Sequence, residues 1–167
     1  MNRNQKRAWK KNQDLTVTEL AAGFNEEHFA LYKKYIATRH SNAGMDNPTN
    51  DNYQDFLWAS WSETLLFEFR LGDHLIAVEA VDRLQQPLSA VYTFFNPDYS
   101  DRSPGKYAIL YLIKHAQLTG LKWLYLGYWI AACDKMKYKA EYQPAECFIN
   151  NNWKKFLPIS PNDFAGR

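Results

Sequence analysis

Between residues 63 and 126 the apolar pattern changes its period, and this change constrains the fold more than any other feature of the chain. "TLLFEFRL" (64–71) sets Phe67, Phe69 and Leu71 against Glu68 and Arg70, the two-residue repeat of a half-buried strand. Gly72–Asp73 makes a tight turn into "HLIAVEAVD" (74–82), and Gln86–Pro87 leads into "LSAVYTFF" (88–95), so three strands run as an antiparallel meander. The period then lengthens. Ala108, Leu112 and Ala116 share a stripe with Ile109 and Ile113, Ser103 stands as a cap with Pro104 in the first helical position, and Gly120 is a stop. "LKWLYL" (121–126) is strand again. Strand, helix, strand demands a right-handed crossover and a parallel pair. The expected class is therefore α+β: a mixed sheet, antiparallel meander plus one βαβ crossover, flanked by helices.

Upstream, Asn25 followed by Glu26 and Glu27 is a helix start, a capping side chain with acids at the positive end of the dipole. Phe29, Tyr32, Tyr35 and Ile36 repeat at helical spacing, so "NEEHFALYKKYIATRH" is an amphipathic helix ending near His40. "SNAGMDNPTND" is a loop, after which Asp51 or Asn52 caps a second short helix through about Trp61. Residues 1–18 are polar and basic and read as a linker. Residues 19–167 read as the folded domain, long enough to bury roughly two-thirds of the unfolded surface.

The net charge of +2 is too small to signal nucleic-acid binding by itself. The charge is nonetheless uneven. Arg3, Lys6, Arg7, Lys10 and Lys11 face only Asp14 near the N-terminus, and Lys122, Lys135, Lys137 and Lys139 face only Asp134. Aromatic residues make up 16%, which means either a large-residue core or surfaces that stack bases. Cys133 and Cys147 lack metal-ligand spacing and read as free thiols of a reducing cytoplasm. No apolar run reaches the roughly 18 residues of a membrane span, and no membrane partner is expected.

The familiar catalytic patterns are missing. There is no G-x-S-x-G, Cys133 has no sequence partner, and His28, His40, His74 and His115 are scattered, so neither a triad nor a metal site is expected. Three cationic arrangements remain. The N-terminus of the 104–119 helix, flanked by Arg102 and Lys106, could take an anion, although a plain capped helix explains the same residues. Arg39 and His40 end the first helix side by side, which suits the helix dipole or a clamp for a carboxylate or phosphate. Finally, in "LKWLYLGYWIAACDKMKYKAEYQP" (121–144), Lys135, Lys137 and Lys139 alternate with Met136 and Tyr138. As strand or as helix, this sets cations beside aromatic surface, the pairing that suits a phosphate backbone and a base; a solvated lysine face explains it equally.

"YKKYIATRH" and "LSAVYTFFNPDYSDRSPGKYAILYLIKHAQLTGLKWLYLGYWIAACDKMKYKAEYQPAE" resemble the C-terminal domain of the aminoacyl-tRNA–protein transferases. The resemblance runs from about residue 25 to 148, and "LGYWI..C.KM.YK..Y.P.E" is its most specific string. "YTFFNP" and "YWI" are closer to the bacterial aspartate/glutamate leucyltransferases than to the eukaryotic arginyltransferases. Asn96 stands where the bacterial pattern usually has Asp, and Pro104 where "SLG" has Leu. The family carries an N-terminal domain with a cysteine cluster that can hold an iron–sulfur centre. Residues 1–18 resemble the basic segment just after it, so the chain is expected to lack that domain and to need no cofactor of its own.

The resemblance implies a GNAT-like fold, leucyl-tRNA as donor, an acceptor protein beginning with Asp or Glu, and a product destined for N-degron proteolysis. The reaction is aminolysis of an ester. An α-amine of ordinary pKa, about 7.7–8.0, is roughly one-tenth neutral at pH 7, so holding amine and ester together carries more of the catalysis than a strong base would. On this reading Arg39 binds the acceptor carboxylate and His40 receives the ammonium proton or holds Arg39. Lys135, Lys137, Tyr138 and Lys139 grip the tRNA end, supported by Arg102, Ser103 and Gly105. Tyr92, Phe94 and Trp129 line the leucyl pocket. An arginyl donor would instead need a carboxylate there, with Glu68 or Glu79 available. Two rivals differ in kind: an N-acetyltransferase using acetyl-coenzyme A, disfavoured by the single glycine of "DRSPGK", and an inactive domain that binds tRNA or N-termini.

Overall fold

The computed structural model describes residues 1–39, 48–58 and 60–156, without the side chain of Lys135. It divides into two compact units, Asn4–Gly127 and a smaller one of Met1–Arg3 with Tyr128–Arg167. The division thus falls after Gly127, not after residue 18.

The larger unit is built on a five-stranded sheet in the order β1-β2-β3-β4-β5, with β1 Thr16–Ala21, β2 Glu63–Leu71, β3 His74–Arg83, β4 Pro87–Phe95 and β5 Trp123–Tyr125. β1 to β4 pair antiparallel and β5 joins β4 in parallel. The meander and the crossover are as the sequence period requires. Gly72 makes the β2–β3 turn at φ +56°, a conformation that costs glycine little.

Residues 1–18 are not a linker. They form helix α1 (Arg3–Lys11) and the start of β1, with Ala8, Asn12 and Leu15 buried. Asn12 holds the end of α1 by donating to the carbonyls of Ala8 and Arg102, both at 2.8 Å. A single inward stripe in a short basic helix was below the threshold at which composition signals a core.

Helix α2 (Glu26–Arg39) begins as expected. The Asn25 side-chain oxygen accepts from the backbone N–H of Glu27 at 2.8 Å and of His28 at 3.2 Å. Helix α3 (Asn50–Leu57) is capped by Thr49, whose hydroxyl accepts from Asn52 N–H at 3.2 Å, and not by Asp51 or Asn52. Residues 97–102, expected as loop, wind into a 3₁₀ turn capped by Asn96. Helix α4 (Pro104–Leu118) has Pro104 in place, but Ser103 sits at φ 55° and makes no side-chain cap.

The two faces of the sheet are covered differently. Tyr32 of α2 and Tyr53 of α3 pack on Phe94 of β4 at 5.4 and 6.2 Å between ring centroids. Phe67 and Phe69 of β2 meet Tyr111 of α4 at 6.1 and 5.5 Å. One polar chain is buried with the first face. His28 Nε2 and Glu68 Oε1 lie 2.5 Å apart, and Arg70 Nε donates to the other Glu68 oxygen at 2.7 Å. Burial works to raise the pKa of Glu68, but the hydrogen bonds from Arg70 and His28 win and hold it below the usual range.

The smaller unit carries α5 (Asp134–Lys137), a 3₁₀ turn over Tyr138–Glu141, and an antiparallel hairpin of β6 (Ala145–Ile149) and β7 (Asn152–Phe156).

Candidate active site

β4 carries the site. Its parallel pairing with β5 lasts three residues, Pro87–Ser89 against Trp123–Tyr125. Beyond Ser89, no strand among the described residues continues the ladder on that side. On its other side the register against β3 shifts, so that Tyr92 pairs with Ala80 and Ala90 with Val81, leaving Val91 bulged out.

Aromatic rings crowd this stretch. Tyr92 lies 4.9 Å from Phe56 of α3, 6.2 Å from Tyr35 and 6.3 Å from Tyr32 of α2, centroid to centroid. Arg39, in the last turn of α2, is exposed, with its guanidinium carbon 5.7 Å over the Phe95 ring. It also hydrogen-bonds Tyr35. Burial raises the pKa of the Tyr35 hydroxyl, with Arg39 pulling the other way, and burial likewise raises those of Tyr32 and Tyr92. At neutral pH all three phenols are uncharged. The site thus offers a cation, flat apolar surface and neutral hydroxyls.

Behind it, Glu79 of β3 is fully buried, with Thr93 of β4 donating its hydroxyl to the carboxyl. Burial pushes the Glu79 pKa up to about 8, the Thr93 hydrogen bond opposing. At pH 7 Glu79 is therefore mainly the neutral acid. Glu68 is held by His28 and Arg70. Neither of these two carboxyls presents a free negative charge for an arginyl donor.

The other candidates from the sequence fall in several places. Phe94 is a core residue with no exposed surface, not a pocket wall. Arg102 is committed to α1: its guanidinium donates to the carbonyl of Lys11, to Asn12 Oδ1 at 3.2 Å and to Asp14, whose pKa that bond lowers. Gly105 backs onto Phe95, where an added Cβ would lie 3.7 Å from the ring. His40 lies outside the described residues.

The remainder belong to the smaller unit. There the 135–139 run is helical, α5 followed by the 3₁₀ turn, which resolves the strand-or-helix alternative. Lys135 lies in α5. Lys137 is exposed and pairs with Asp134 at 2.6 Å, and Tyr138 is half exposed beside Tyr142. Lys139 Nζ donates to the Tyr128 carbonyl at 2.7 Å, and burial lowers its pKa. Trp129 packs on Phe156 at 4.7 Å. Among the described residues, no group of three or more His, Cys, Asp or Glu could hold a metal ion, and no helix is long and apolar enough to cross a membrane.

Tyr32, Tyr35 and Phe56 escaped the reading of the sequence as site residues. The only signal was their place on helical stripes, which a core explains as well.

A mixed sheet with a bulged β4 parting from β5 and a crossover helix between them defines the GNAT-like acyltransferase fold. A solved structure of the ribosomal-protein-S18-alanine N-acetyltransferase from Escherichia coli superposes with a TM-score of 0.53 at 13% identity, covering 79% of both chains. The chain itself belongs to the family described as "Arginine-tRNA-protein transferase, C terminus", whose model matches residues 27–149. Aspartate/glutamate leucyltransferases are similar to it: that of Hahella chejuensis is 47% identical over 90% of this chain and 64% of its own length. That of Saccharophagus degradans is 48% identical over 93% and 66%. The chain thus spans a little under two-thirds of the length of these relatives.

Proposed function

We propose that this chain forms the transferase part of an aspartate/glutamate leucyltransferase, moving leucine from leucyl-tRNA to the α-amine of a protein that begins with Asp or Glu. The observation that carries the reading is the 47–48% identity to leucyltransferases over 90% or more of the chain. The site agrees with it. Arg39 is an exposed cation suited to an acidic first side chain. Tyr92, with Tyr32, Tyr35 and Phe56, supplies apolar walls for a leucyl group, while Glu68 and Glu79 are committed or neutral, which disfavours an arginyl donor. Lys137 and Tyr138, with Lys135, serve the acceptor end of the tRNA. Catalysis is by positioning: the neutral fraction of the amine attacks the ester carbonyl, the tRNA ribose oxygen leaves with a proton, and the amide forms. The product would enter N-degron proteolysis in the cytoplasm.

The test is a transfer assay with radiolabelled leucyl-tRNA or arginyl-tRNA and peptides starting with Asp, Glu or Ala. The reading requires leucine on the acidic peptides. Transfer of arginine alone, or acetyl transfer from acetyl-coenzyme A, would overturn it.

A further inference from the structure

Helix α1 sorts its side chains by charge as sharply as by burial. Gln5 and Ala8, with Asn12 just past the end of the helix, are buried. Trp9 is half-buried against the core, 5.5 Å from Tyr107 of α4 between ring centroids. At 3.6 residues per turn, Lys6, Arg7 and Lys10 fall on the face opposite Gln5 and Ala8, and all three are exposed. The helix itself contains no acidic residue. The acids that meet its end are already engaged, Asp101 by Lys11 at 3.0 Å and Asp14 by Arg102. Among the described residues, no ion pair or hydrogen bond takes up Lys6, Arg7 or Lys10.

Local stability does not account for this stripe. Lys6 and Arg7 stand four and three residues before Lys10, the spacings at which like charges repel and weaken a helix. A face kept only for solvation alternates its signs. A one-sign face on a nearly neutral chain fits an anionic partner. The rest of the helix selects which partner. Its apolar residues, Ala8 and Trp9, are turned to the core, so none is left to enter a lipid surface. For the same reason the exposed face offers no ring on which an unpaired base could stack. A row of cations remains, and a row of phosphates matches it. Lys6 and Lys10 are one turn apart, about 6 Å along the axis, and a duplex presents about three or four phosphates over that length.

We propose that the Lys6–Arg7–Lys10 face of α1 is a binding site for the phosphate backbone of duplex RNA. Resting on the transferase reading above, its ligand is a base-paired stem of the donor tRNA.

The experiment measures fluorescence anisotropy of labelled deacylated tRNA, of a short blunt RNA duplex and of a single strand of the same length, on the whole chain across a salt series. Changing Lys6→Gln, Arg7→Gln and Lys10→Gln together should weaken binding of tRNA and duplex at least about tenfold at low salt. It should also flatten the slope of log K against log salt by about 2.7, for three duplex phosphate contacts. Each single change should flatten it by about 0.9, which keeps the test alive should the triple variant fail to fold. Lys6→Arg with Lys10→Arg should keep the wild-type slope. So should Lys33→Gln with Lys114→Gln, which removes exposed lysines of α2 and α4 instead. Thermal midpoints of the α1 variants should equal or exceed the wild type, since repulsion along the helix is relieved.

A wild-type slope in the triple and single variants would overturn the site, as would equal flattening by the α2 and α4 changes. Tighter binding of the single strand than of the duplex would overturn it too. So would α1-dependent binding to vesicles containing phosphatidylserine with RNA affinity intact, or no RNA binding by the wild type. Leucine transfer separates the two readings. Duplex binding through α1 without transfer sinks the proposed function alone. Transfer with an unchanged KM for leucyl-tRNA in the triple variant sinks the α1 site alone.

Discussion

Glu79 should make the protein lose stability as pH rises from 5 to 8, and Glu79→Gln should remove that loss. The carboxyl has no exposed surface to speak of, and the Thr93 hydroxyl is the hydrogen-bond partner facing it across the strands. Burial raises its folded-state pKa from 4.5 to about 8. Unfolding returns it to water and to the ordinary value. Below pH 4.5 both states hold the proton and Glu79 contributes no slope. Between 4.5 and 8 only the folded state holds it, so each added pH unit removes up to about 1.4 kcal/mol of stability. Above 8 neither state holds it and the loss is complete. Integrated from pH 5 to 8, the loss is on the order of 3 kcal/mol. Burial, and to a lesser degree Glu79 itself, raise the pKa of Tyr35, so that phenol stays neutral throughout the window. Urea denaturation of wild type and variant at pH 5, 6, 7 and 8, with m-values compared to confirm the same transition, gives the difference directly; other titrating groups cancel in it. Glutamine keeps a donor and an acceptor for Thr93, so the two proteins should be close at pH 5 and the Glu79→Gln variant well ahead at pH 8. A difference that stays constant within about 0.5 kcal/mol across the range would refute the buried neutral acid.

Three further outcomes are expected. Arg39→Ala should cut kcat/KM for acceptors beginning with Asp or Glu by about tenfold or more, the worth of a charge-assisted hydrogen bond, and spare any transfer to neutral N-termini; equal losses on both would remove its assigned role. Phe94→Ala should cost about 3–5 kcal/mol in chemical denaturation, because Phe94 is fully buried between Tyr32 and Tyr53; a mild loss of stability with a large rise in KM would return it to the pocket. Asn12→Ala should cost about 1–3 kcal/mol, since it strands the buried carbonyl of Ala8 and unfastens Arg102; an unchanged melting transition would show that α1 does not depend on this clamp.

What the sequence disclosed follows the range over which its signals act. The β2–β3–β4 meander and the α4 crossover were legible because each apolar residue repeats at the period of its own element. Gly72 and Gly120 punctuate them locally, the second at φ 73° just past the helix. Thr49 was passed over as a cap because it precedes two equally good capping residues, and only the backbone geometry tells them apart. α1 and β1 were lost to a different cause. Their hydrophobic contribution is small, and what holds them is polar and distant in sequence: Asn12 reaches Arg102, and Lys11 reaches Asp101 at 3.0 Å. Arg102 was read as a phosphate ligand for the same reason, since its partners lie about ninety residues upstream.

The site divides along the same line. Arg39 could be picked out because an arginine ending an amphipathic helix is visible locally, and Tyr92, with Phe94, because both are large apolar rings in one strand. Their meeting with Tyr35 and Phe56 depends on α2 and α3 packing on one face of β4, a long-range event that no periodicity encodes. Strand parity does decide one point that composition left open. Phe94 and Tyr92 share a face of β4, but Phe94 lies under Tyr32 and Tyr53, whereas Tyr92 stands at the bulge, where the ladder opens. Two aromatics two residues apart therefore sit in different surroundings, one sealed in the core and one part-exposed where the ladder opens. The position of the bulge, not the identity of the ring, makes the assignment.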